Sequence, residues 1–218
     1  MKKILCVTYR DWASDIYKSL KYALPDYDFR IINRPEDYTE SIVEEFNPDL
    51  ILWYGWSWIV PENITDKYTS LCLHPSPLPK YRGGSPIQNQ IINGVKTSAV
   101  TIFKMGKGLD DGDILTQLPL SLSGNIQDIF KRMSDLGFSA TYNIITKGYS
   151  LNQQDNNQAT IFKRRKQKDS EITLNEINNN PAEYLYNKIR MLTDPYPNAY
   201  IKCKDGSRLY LTGAFYND

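Results

Sequence analysis

For its first 150 residues the chain alternates short apolar runs with amphipathic stretches, and this alternation restricts the fold more than any other sequence feature. Residues 3–8, 28–33 and 50–54 read as strands. The third, Leu50-Ile51-Leu52-Trp53-Tyr54, is apolar throughout, as a strand buried on both faces would be. Between them, 12–24 carries Ile16, Leu20 and Ala23 at helical spacing, and 36–46 reads as a helix stopped before Asn47-Pro48. Strands over 70–74, 98–104 and 114–120 follow, with helices over 86–93 and 126–150. Strand alternating with helix implies a parallel sheet with crossovers. The expected fold is therefore α/β: a Rossmann-like, doubly wound, mainly parallel sheet over 1–150. Residues 151–158 are polar and read as a linker into a small α+β extension over 151–218. That extension should hold a helix at 181–192, an irregular Asp194-Pro195-Tyr196-Pro197-Asn198, and a hairpin of 199–203 and 208–212 about Asp205-Gly206.

Charge and cysteine usage narrow the function. The formal net charge of the 218 residues is +1, with no basic tail, so no nucleic-acid footprint is expected. The one dense basic run is Lys163-Arg164-Arg165-Lys166, and a solvated turn and a phosphate site are equally open for it. Cys6, Cys72 and Cys203 are widely spaced and odd in number, which argues against a disulfide framework. The first apolar run is too short for a signal peptide or a membrane span. A cytoplasmic protein with no membrane partner is expected.

His74 is the only histidine, and it sits where an apolar strand gives way to Pro75-Ser76-Pro77. Ligands of open α/β sheets bind outside the carboxyl ends of the strands, and histidine exchanges protons near neutrality. A histidine that merely closes a strand is the competing reading. Asp110-Asp111-Gly112-Asp113 lies in the loop between strands 98–104 and 114–120. A carboxylate beside a histidine orients its ring, although Asp-Gly clusters also make ordinary turns. The carboxylates could hold Mg²⁺, but spacing alone supports that weakly, and no metal is expected. Gly55-Trp56-Ser57-Trp58-Ile59 follows the third strand, and its tryptophans could wall a flat heterocycle or belong to the core. Lys80-Tyr81-Arg82-Gly83-Gly84-Ser85-Pro86 is a loop into a helix, open to an anion, without the Gly-Lys-Ser/Thr of a Walker loop.

Together these pieces resemble the folate-dependent formyltransferase family, which includes glycinamide ribonucleotide transformylase, methionyl-tRNA formyltransferase and sugar N-formyltransferases. The matching residues are His74-Pro75-Ser76-Pro77-Leu78-Pro79-Lys80-Tyr81-Arg82-Gly83, Pro86-Ile87-Gln88, Ile92-Asn93-Gly94 and Leu109-Asp110-Asp111-Gly112-Asp113-Ile114. The likeness continues through Phe162-Lys163-Arg164-Arg165 and Ile189-Arg190-Met191-Leu192 to Tyr196-Pro197-Asn198-Ala199-Tyr200. The spacing from His74 to Asp110, 110 − 74 = 36, is the family's. The resemblance implies N10-formyltetrahydrofolate as co-substrate and His74 and Asp110 as catalytic residues. At the position usually occupied by Asn stands Cys72, a weaker donor to an oxyanion. The implied folate contacts are Trp53, Tyr54, Gly55, Trp56, Trp58, Ile59, Gly108, Leu109 and Asp113.

The acceptor is reached by elimination. Only about 60 residues follow the linker, short of the basic domain that methionyl-tRNA formyltransferases add. Thr8-Tyr9-Arg10-Asp11-Trp12 replaces the phosphate loop of the glycinamide ribonucleotide enzymes. A nucleotide-linked amino sugar, dTDP- or UDP-, is expected, contacted by Tyr9, Arg10, Trp12, Ser76, Lys80, Arg82 and Gly83. The alternatives are another amine acceptor, an impaired folate-binding homologue, or hydrolysis of the donor. The open edges of the C-terminal hairpin could pair in a homodimer.

Overall fold

The computed structural model describes residues 1–217. Its core is a six-stranded sheet in the order β2-β1-β3-β4-β6-β7: β1 Lys3–Val7, β2 Asp28–Ile32, β3 Leu50–Trp53, β4 Ser70–His74, β6 Thr97–Lys104 and β7 Ile114–Ser121. The first four run parallel, whereas β6 pairs antiparallel with β4 and β7 antiparallel with β6. The sheet is thus mainly parallel, as expected, with an antiparallel edge. Residues 105–113 are too few for the crossover that a parallel pair would need, and two antiparallel strands need none.

Side chains along β1 and β3 alternate between two apolar clusters. Ile4, Cys6 and Leu52 join one; Leu5, Val7, Ile51 and Trp53 join the other. This is why both strands are apolar at every position. Helices α1 Asp11–Ala23 and α5 Ile126–Lys147 cover the first face, through Ile16, Tyr17, Leu20, Ile129 and Met133. Helices α2 Glu40–Phe46 and α3 Glu62–Lys67 cover the second, through Val43 and Ile64. Six-residue α3 is too short to show a period in the sequence. Helix α4 Pro86–Ile92 lies between β5 Arg82–Gly83 and β6.

The C-terminal extension contributes Ile172, Ile189, Met191, Leu192 and Ala199 to the first cluster. It contains β8 Ile161–Phe162, α6 Leu174–Asn179, α7 Ala182–Arg190 and the hairpin β9 Ala199–Lys202 with β10 Arg208–Leu211. Residues 151–158, read from sequence as a linker, are docked: Asn152 exchanges backbone hydrogen bonds with Ile114 at the start of β7, and Gln154 is buried. Among the described residues no helix is long and apolar enough to cross a membrane.

Candidate active site

The strand order changes direction between β1 and β3, and the loops after β1, β3 and β4 open there onto a cavity of about 940 Å³. Cys72 and His74 share one face of β4, opposite the core residues Leu71 and Leu73. The His74 ring is buried, and its Nε2–H donates to the Tyr81 carbonyl at 2.7 Å. That bond leaves Nδ1 to face Asp110, whose Oδ2 is 3.5 Å away. The gap is too long for a good direct hydrogen bond, and it is wide enough for a small polar group or a water to bridge it.

Asp110 reaches this point by an indirect route. Because β6 is antiparallel to β4, it ends beside Leu71, not beside His74. Three residues of strand, about 10 Å, must be recovered, and loop 105–113 does so by folding back. Two backbone features make this path possible. A Cβ on Gly112 would sit 1.8 Å from the Lys104 carbonyl oxygen, and Asp110 itself has φ of 50°. The Asp110 carboxylate also accepts the Gly83 N–H at 2.8 Å. Gly83, at φ +92°, lets β5 lie so close to β8 that a Cβ would meet the Phe162 carbonyl at 2.4 Å.

Burial first, and then the negative charge of Asp110, push the Cys72 thiol well above its ordinary value. It is a neutral S–H beside the pair, a weak donor and no thiolate nucleophile. Its one hydrogen-bond contact is a long 3.8 Å to the Leu73 carbonyl.

Of the residues singled out from sequence, Arg10, Trp12, Trp53, Gly55, Trp56, Trp58, Ile59, Cys72, His74, Gly83, Gly108, Leu109 and Asp110 all line the cavity. The tryptophans divide between the core and the cavity wall. Trp53 is buried and packs on Trp56, while Trp58, half exposed, lies 4.7 Å from Trp56. The others lie elsewhere. Tyr54 is fully buried in the core with its hydroxyl on Thr141, because residue 54 shares the inner face with Leu52. Asp113 stands at the entry to β7, its carbonyl taken by Lys104 N–H. Ser76 is consumed by its own turn, donating to the Lys80 carbonyl at 2.8 Å, and Lys80 is exposed away from the cavity. Arg82 is buried on Gln154 and Asn156. Tyr9 flanks the mouth with its hydroxyl on Ser57 and lines a second cleft, which also holds Arg10 and Trp12.

In the basic run, Lys163, Arg164 and Lys166 are exposed on irregular backbone, and Lys163, Arg164 and Arg165 line the cavity. Arg164 Nη2 donates to Ser57 Oγ at 3.1 Å. Across the mouth, the Arg10 guanidinium lies 4.5 Å from the Tyr9 ring and 5.5 Å from the Tyr196 ring. None of the ion pairs among the described residues includes Arg10 or Arg164. Sequence reasoning did not single out Gln154, and it met Gln88 only within the Pro86-Ile87-Gln88 motif, with no role given to it. The first lies in a polar stretch with no periodicity, and the second sits buried on α4 at the cavity wall, its side chain toward the Tyr196 hydroxyl. Among the described residues no cluster of His, Cys, Asp and Glu is placed to hold a metal ion.

A family model described as "Formyl transferase" matches residues 22–141, more than half of the chain. The chain belongs to the formyl transferase family. The methionyl-tRNA formyltransferase of Syntrophomonas wolfei is 33% identical over 172 residues, covering 74% of this chain and 53% of that protein. The chain spans about half the length of such curated relatives. The solved methionyl-tRNA formyltransferase from Clostridium thermocellum superposes with a TM-score of 0.85 at 32% identity, over 96% of this chain and 97% of that one. A sugar N-formyltransferase from a Shewanella species shares the fold, with a TM-score of 0.75 at 19% identity over the whole of both chains. The relatives above 30% identity are named for methionyl-tRNA, and the sugar N-formyltransferase is similar in fold.

Proposed function

We propose that this formyl transferase moves a formyl group from N10-formyltetrahydrofolate to the primary amine of a nucleotide-linked amino sugar. The observation that carries formyl transfer is the His74–Asp110 pair at 3.5 Å on the cavity wall. The acceptor nitrogen attacks the formyl carbon, a new C–N bond forms, and the carbonyl oxygen gains negative charge. The bond from carbon to N10 then breaks, N10 takes a proton, and the amine gives one up. Asp110 suits the holding and deprotonation of the amine; the neutral Cys72 thiol suits the charged oxygen, and His74 Nδ1 suits it once the ring, whose Nε2–H is already given to Tyr81, takes up a second proton at Nδ1. The tryptophan wall at Trp56 and Trp58 suits a pterin ring.

Arg10 and Arg164 support the sugar nucleotide. Two guanidinium groups without a carboxylate, beside Trp12 and Tyr196, match a diphosphate joined to a base. The second reading is methionyl-tRNA, favoured by relatives of that name at 32–33% identity. The two separate in one assay. The protein is incubated with N10-formyltetrahydrofolate and either dTDP- and UDP-amino sugars or methionyl-tRNA, and mass spectrometry follows the gain of a formyl group. A formylated sugar is expected, with Arg164→Ala raising its KM about tenfold or more, as loss of a charge-assisted hydrogen bond should. Formylation of methionyl-tRNA alone would remove the sugar and leave the donor. Transfer to neither would remove formyl transfer itself.

A further inference from the structure

Asp110 has a left-handed backbone at φ 50°, which a non-glycine residue keeps only where its surroundings impose it. Gly83 holds its carboxylate, and a side-chain amide holds its backbone carbonyl. Gln154 Nε2 donates to the Asp110 carbonyl at 2.9 Å and to the Gly112 carbonyl at 2.7 Å. Gln154 Oε1 accepts twice from Arg82, from Nε at 3.1 Å and from Nη2 at 2.7 Å. Arg82 Nη2 also donates to Asn156 Oδ1 at 2.8 Å. Arg82 and Gln154 are each 6% exposed, and no ion pair among the described residues includes Arg82. A guanidinium buried without a carboxylate is costly unless its hydrogen bonds are met, and here they run into the amide that grips the Asp110 loop. A donor polarised from behind is a stronger donor in front. Glutamine alone offers both functions at this length: two N–H donors for carbonyls, and an oxygen for arginine.

We propose that Gln154, backed by Arg82, is the positioning residue of the reaction centre, fixing the backbone of Asp110 and so the approach of its carboxylate to His74. Gln154 is not among the residues that line the cavity, so it acts through Asp110. The inference rests on the proposed formyl transfer only where it calls the pair reactive.

The test is Gln154→Glu. Glutamate keeps the shape and strengthens the link to Arg82, but offers no N–H to the two carbonyls. The expected result is a protein that still folds, with a lowered melting temperature, and, at temperatures where it is fully folded, kcat lowered about 100-fold and KM for the donor little changed, as misplacement of a reacting group produces. His74 is the only histidine, so its ring ¹H–¹⁵N signals report the pair directly, without substrate, and they should move. Arg82→Lys, which keeps one donor behind the amide, should give a smaller change of the same kind. If Gln154→Glu does not fold, Arg82→Lys carries the same readouts. Unchanged kcat in the folded variant, unmoved His74 signals, or a loss of kcat that only tracks a loss of fold would each overturn the proposal. If the unaltered protein transfers no formyl group, the function falls on its own, and the His74 signals still decide whether Gln154 sets the pair.

Discussion

His74 and Asp110 meet in one cavity but are held by different means. His74 ends a central strand, with β3 on one side and β6 on the other, and a backbone carbonyl receives its Nε2. Asp110 stands on a loop that runs back over the sheet, and its backbone is held by a side chain 44 residues later in the chain. The first position is fixed by the regular hydrogen bonding of a sheet, which any strand-forming sequence supplies. The second depends on particular side chains and glycines. Substitutions around Asp110 should therefore degrade geometry before they degrade the fold, while substitutions in β4 should do the reverse.

The largest effect expected is on the pair itself. His74→Ala and Asp110→Asn should each lower turnover by about 10²–10⁴-fold, the range for general acid–base groups. They should differ in a second respect. Asparagine can still accept the Gly83 N–H that Asp110 now accepts at 2.8 Å, so Asp110→Asn should leave the β5–β8 contact and the melting temperature in place. His74→Ala leaves the Tyr81 carbonyl without its ring partner and should lower the melting temperature measurably. Equal thermal stability for the two would mean that His74 is no more embedded in the fold than Asp110.

Cys72→Asn should act on the strand side with a smaller effect. Cys72 lies beside His74 on the cavity face of β4, and its neutral thiol is a poor donor. An amide N–H there should raise kcat, by roughly tenfold, since a complete oxyanion donor is worth about 10²–10³-fold. A fall in kcat would mean that the cavity is shaped around sulfur and that the thiol is not a weakened substitute.

The same contrast explains what could be read from the sequence. The strands through β4 and helices α1 and α2 were legible because apolar alternation and the stop at Pro75 are local signals, and His74 was singled out on them, whereas α3 was too short to show. Asp110 was found as part of a motif, but the antiparallel run of β6 that makes its loop fold back was missed. The nine-residue connection, with no helix in it, carried that information. Arg82 was expected at the substrate because its loop leads into a helix N-terminus open to an anion, and its burial depends on Gln154 and Asn156 from a stretch that reads as linker. Nothing local distinguishes Gln154 from the glutamines around it; only the docking of Asn152 on Ile114 brings it beneath the loop. Long-range side-chain hydrogen bonds leave no period in a sequence.

The smallest effect is on stability against pH, where the two arms should fail at opposite ends. Near His74 the sheet buries acids that stay neutral. Burial pushes up the thiols of Cys6 and Cys72 and the phenols of Tyr17 and Tyr54. Their folded values exceed their unfolded ones, so the stability they contribute is complete below the unfolded values of 9.0 and 10.0 and is lost as pH rises past them. On the loop side, Asp155 accepts from the Gln158 side chain and the Asn157 backbone, which hold its carboxyl below the ordinary 3.8. Its contribution is present above that value and lost as pH falls below it. Asp155 is exposed and caps the turn that carries Asn156, so the acid effect should be slight and local. Melting temperature should therefore fall clearly from about pH 9 upward. Acid below pH 3.8 should instead change hydrogen exchange around residues 154–158 before it moves the melting temperature. A sheet that keeps its full stability to pH 11 would mean that these thiols and phenols reach water in the folded state, and the distinction between a buried arm and a tethered one would fail on the strand side first.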